Sequence, residues 1–85
     1  MIASAALQRR IEACHRLLER AQPWAAMWVW FELQGLQVAA GQRDPMVGLA
    51  PGPLFDAYEL GLQDGHTLTR LEATHGQTET SPAGH

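Results

Sequence analysis

Between Pro23 and Ala40 the chain reads PWAAMWVWFELQGLQVAA, which holds all three tryptophans and one of the two phenylalanines. A segment this apolar has to be covered by something, so it constrains every other element. Read as a helix, it places Trp24, Met27, Trp28, Phe31, Gly35 and Val38 on one face at i, i+3, i+4 spacing, with Val29, Leu33, Leu36 and Ala40 on a second. Val29, Phe31 and Leu33 also alternate with Trp30, Glu32 and Gln34, a pattern that suits a strand. Length decides for the helix, and Pro23 fits its first position, where a missing N–H costs nothing. Trp28, sharing a face with Trp24, Phe31 and Gly35, is then expected in the core. Trp30 lies about 200° away and is expected at the surface. Tryptophan is the residue type most enriched at binding hot spots, so Trp30, with Trp24 and Leu33, is assigned to partner binding.

The same segment is too short to cross a membrane. Its uninterrupted apolar run, Trp24 to Phe31, is eight residues against the roughly 20 a span requires. The whole chain has 85 residues, enough for one domain of marginal core. Cys14 is the only cysteine, so no internal disulfide can form, and a reducing, cytoplasmic setting follows. No signal peptide is expected, because Arg9 and Arg10 follow the mildly apolar start and do not precede it. A small chain without disulfide or metal commonly completes its core with a partner chain, which favours a homodimer.

That dimer has a candidate seam. Leu7, Ile11, Cys14 and Leu18 recur at heptad-like spacing on a helix over residues 4–21, with Ser4 as its cap. Gln22-Pro23 is a short corner that turns the chain back as a helical hairpin over 23–40, closed by Gly41. Pro45, Gly48, Pro51 and Gly52 make residues 42–52 a loop and hinge. A third helix is expected over 53–64, with Pro53 opening it and Asp64-Gly65 ending it. The fold class is therefore all-α, a three-helix domain over residues 1–73. Residues 74–85 are almost free of apolar side chains and are expected to be a disordered tail.

Charge is uneven: residues 1–22 carry a net +2 and the remainder −5. Four arginines interleaved with Glu12 and Glu19 form a solvated face more readily than a phosphate-binding one, so nucleic acid is not the expected partner. His15, His66, His75 and His85 have no metal-ligand spacing, and no serine, cysteine or carboxylate pair has the surroundings of a catalytic group. The expectation is a non-enzymatic protein without cofactor or metal.

An internal echo is present. Phe31-Glu32-Leu33-Gln34-Gly35-Leu36-Gln37 matches Tyr58-Glu59-Leu60-Gly61-Leu62-Gln63 when Gln34 is skipped. A glycine inside a helix costs about 0.8 to 1 kcal/mol relative to alanine, and close approach of two helices at Gly35 and Gly61 would account for both. A helix with Gly35 and Gly41, a loop with Pro45, and a helix with Tyr58 three residues before Gly61 together resemble ribosome modulation factor and similar small bacterial and phage proteins. The resemblance covers residues 31–65 and implies binding to the ribosome and its RNA. Size and apolar surplus point instead to a bacterial or phage regulator, such as an antiactivator, that occupies a protein partner's surface.

Overall fold

The structure, a computed structural model, describes residues 4–79, with side chains described through residue 73. It holds three helices and, among the described residues, no strand: α1 (Ala5–Leu18), α2 (Pro23–Ala39) and α3 (Pro53–Glu79). The all-α reading is the observed one, and the strand alternative for α2 is excluded.

Each boundary has a local cause. Ser4 Oγ accepts from the Leu7 N–H at 3.1 Å and caps α1. Pro23 opens α2. Gly41, at φ 74°, closes it: its N–H donates to the Val38 carbonyl, and that of Gln42 donates to Gln37, which together form a Schellman motif. α3 does not stop at Asp64-Gly65 as expected but continues to Glu79. Gly65 is a packing position, where an added Cβ would meet the Ala39 side chain at 2.5 Å. Helix α3 reaches past the point where the tail was expected to begin, and residues 80–85 of that tail lie outside the described residues.

Two kinds of helix packing follow. α1 and α2 form the expected hairpin, with Gln8 bonded to Gln42 and Arg10 to Glu32, so their numbering runs in opposite directions. α2 and α3 instead run in the same direction. Gly61 meets Glu32, Gly35 meets Tyr58 to Leu62, and Gly65 meets Ala39. A Cβ at Gly35 or Gly61 would fall onto the other helix's backbone, so only glycine permits this approach. The echo thus acts as a pair of contact points, Gly35-x-x-x-Ala39 against Gly61-x-x-x-Gly65.

Parallel neighbours need a long return. α2, at about 1.5 Å per residue, spans about 25 Å, a distance residues 40–52 can cover when extended. This return segment, expected as a hinge, is pinned at two places. Tyr58 Oη accepts from the Met46 N–H at 3.1 Å, and the Arg43 guanidinium donates to the Gln34 side-chain oxygen.

Candidate interaction surface

The core lies between α1 and the second half of α2. Leu7, Ile11 and Cys14 are buried against Leu33, Leu36 and Ala40, with Leu18, Val29, Ala39 and Leu68 packed around them. Burying side chains such as Leu7, Ile11 and Leu36 contributes about 1.5 to 3 kcal/mol each. Two sequence assignments are corrected by this arrangement. The Leu7, Ile11, Cys14, Leu18 seam is filled by the chain's own α2 and is not presented to a second copy. Leu33, assigned to partner binding, is 2% exposed and belongs to the core, because Val29, Leu33, Leu36 and Ala40 form the face of α2 that meets α1.

The first half of α2 has the opposite character. Trp24 is 78% exposed, Met27 53%, Trp28 38% and Trp30 43%. Phe31 is half-buried, with the Trp30 ring standing edge-on to it at a centroid distance of 5.0 Å. Trp30 is thus at the surface, as expected, and Trp24 is exposed as well. Trp28 was expected in the core but is more than a third exposed. The reason is where α3 crosses. Contact between the two helices is built on Gly35 and Ala39, so α3 covers the later turns of the tryptophan face and leaves the earlier ones bare. At the same end of the hairpin Leu17 is exposed, and Ala13, Arg16, Leu17 and Arg20 line a shallow cleft of about 330 Å³.

The polar interior is small. Glu32, the only charged residue of α2, is buried and accepts from Arg10 Nη2 at 2.7 Å, with Asp64 3.9 Å from the same nitrogen. This hydrogen bond, with Coulombic help from Glu32 and Asp64, holds the Arg10 guanidinium above its ordinary value. The Arg10 side chain is about half exposed, so solvent screens the pair, whose main effect is to fix how α1 sits on α2. Beside it Arg10, Asp64, Thr67 and Leu68 line an open cleft of about 230 Å³. Burial pushes the Cys14 thiol up, which keeps it protonated and weakly nucleophilic at neutral pH.

Among the described residues no three His, Cys, Asp or Glu side chains are grouped to hold a metal ion, and no helix is long and apolar enough to cross a membrane. The molecule is a small three-helix, all-α protein whose most distinctive surface is aromatic. Comparison with protein-family models, with curated proteins and with solved structures finds no match to this chain.

The expected close approach of two helices at Gly35 and Gly61 is observed. What sequence reasoning missed is that this contact, extended by Ala39 and Gly65 four residues on and so on the same side of each helix, sets the phase of α2.

Proposed function

We propose that this chain is a small, non-enzymatic regulatory protein that acts in the cytoplasm by binding another protein, in the manner of an antiactivator or inhibitor of a bacterial or phage partner. The supporting observation is the exposure of Trp24, Met27, Trp28 and Trp30 in the first half of α2, with exposed Leu17 at the same end of the hairpin. Large aromatic side chains left in water by a well-packed fold are the usual anchors of a protein interface, and truncating one such anchor costs about 2 kcal/mol or more of binding energy.

The resemblance to ribosome modulation factor offers a second reading, with the ribosome as target. Residues 31–65 carry one arginine against five acids, a poor match to a phosphate-rich surface. One experiment separates the two: affinity capture from the source cell with the natural chain and with Trp24→Ala, at low and high salt. A protein captured by the natural chain at both salt levels and lost with Trp24→Ala supports the first reading. Capture of ribosomal RNA that disappears as salt rises supports the second.

A further inference from the structure

We propose that in the free protein a second copy of this chain covers the bare face of α2, the two α2 helices lying antiparallel about a two-fold axis between Met27 and Trp28. This rests on the face being a contact surface, as proposed above, and names what occupies it when no other protein does.

Three observations select a second copy. The first is symmetry in the spacing. Trp24, Met27, Trp28 and Phe31 are placed palindromically about the midpoint between residues 27 and 28, and they lie within one stripe of the helix. Antiparallel pairing sets Trp24 against Phe31 of the other copy, and Met27 against Trp28. Each large ring meets a large ring, and the polarizable thioether meets an aromatic face. A patch that complements itself in this way is what an isologous interface requires.

The second is the absence of charge. Residues 21–31 contain no ionisable side chain, and Glu32, the first that follows, is buried and paired with Arg10. Two identical faces can therefore meet without like-charge repulsion. A partner of opposite charge would find nothing on this face to recognise.

The third is area. Weighted by their exposures, Trp24, Met27 and Trp28 present about 400 Å². Two copies would bury about 800 Å², the size of a weak, transient contact. Such a contact forms and separates in the micromolar range, which leaves the face available to a competing partner.

The test is sedimentation velocity on the full chain from about 1 to about 200 µM, with tryptophan emission followed in parallel. The expected result is a rise from the 9.3 kDa chain mass toward twice that value, with emission shifting to the blue as the indoles leave water. Met27→Glu, which would place two carboxylates at the axis, should weaken association at least tenfold while leaving the helical circular dichroism unchanged. Trp24→Ala should weaken it as well, and Leu71→Ala, on an exposed part of α3, should not.

A natural chain that stays monomeric throughout overturns the proposal, as does a Met27→Glu chain that associates like the natural one. A blue shift that needs phosphatidylcholine vesicles and not a second copy overturns it in favour of a lipid surface. If the chain is monomeric yet captures a protein in a Trp24-dependent way, this inference alone fails. If it dimerises through Met27 yet captures nothing, the function proposed above fails and the dimer stands.

Discussion

The first nine residues of α2, Pro23 to Phe31, are entirely uncharged and carry the three tryptophans; the last eight, Glu32 to Ala39, include a glutamate and two glutamines. Yet the buried residues of the helix are Glu32, Leu33, Gln34, Gly35 and Leu36. Hydropathy alone would have ranked the two halves the other way. The difference lies in what can approach. Gly35 lets α3 come to backbone contact, and the second half is closed on three sides by α3, α1 and the Arg43 side chain from the return loop. The first half carries large rings in place of glycine and receives no such neighbour. Burial here follows the position of the smallest residue.

The largest way to break the comparison is to fill the contact point. Gly61→Ala would drive a Cβ into the Glu32 carbonyl, and nothing on either backbone can move aside cheaply. A loss of about 3 kcal/mol or more is expected, at the upper end of overpacking effects, measured by urea unfolding followed by circular dichroism. A variant that unfolds at the natural urea concentration would show that the two helices do not depend on backbone contact.

A direct contrast between the halves comes next. Leu36→Ala, at a fully buried position, should cost about 2 to 5 kcal/mol. Trp24→Ala, measured at concentrations where the chain is monomeric, should change stability by no more than about 0.5 kcal/mol. Equal losses at the two positions would mean that the first half of α2 is covered after all.

Tyr58→Phe sharpens the role of the return loop. It keeps the ring but removes the oxygen that accepts from Met46, for an expected cost of about 0.5 to 1.5 kcal/mol. Amide hydrogen exchange at Met46 should speed up, while exchange in the core of α1 should change only by the global loss. An unchanged Met46 amide would mean that the loop is held elsewhere.

The smallest effect concerns the α1 side of the same half. Burial raises the Cys14 thiol above its ordinary value of about 9, so below that pH both folded and unfolded chains carry a neutral thiol and stability is complete. Above it the unfolded chain ionises first, and stability falls as pH rises through the folded value. Urea midpoints between about pH 8 and about pH 10.5 should therefore decline less in Cys14→Ala than in the natural chain. Equal declines would mean that the thiol is more accessible than its place against Leu33 and Leu36 implies.

How much of this was legible depended on how one-sided each element is. α1 could be read because its apolar residues lie in one stripe, so Leu7, Ile11 and Cys14 could only face inward. The error was in giving that stripe to another chain when α2 was close enough to take it. α2 resisted reading because it is apolar on nearly every side: both faces were identified, but nothing in their hydropathy ranked Leu33 above Trp28. α3 was cut short because Asp64-Gly65 has the composition of a stop, whereas Gly65 is there to admit Ala39, and Leu68 and Glu72 extend its contacts further. The exposure of Trp30 was anticipated because it lies about 200° from the Trp28 face.

Glu72 has a consequence for the order of events in time. Its two carboxylate oxygens accept from the Ala5 and Ala6 N–H groups, 67 and 66 residues away in sequence. α1 is synthesised before α2 and α3, yet at 14 residues it is marginal as an isolated helix. The carboxylate that holds its free N–H groups is made only after α2, the return loop and most of α3. The earliest of the three helices is thus the last to be completed, and until residue 72 has been added the first turn of α1 remains open to any competing acceptor of its two N–H groups.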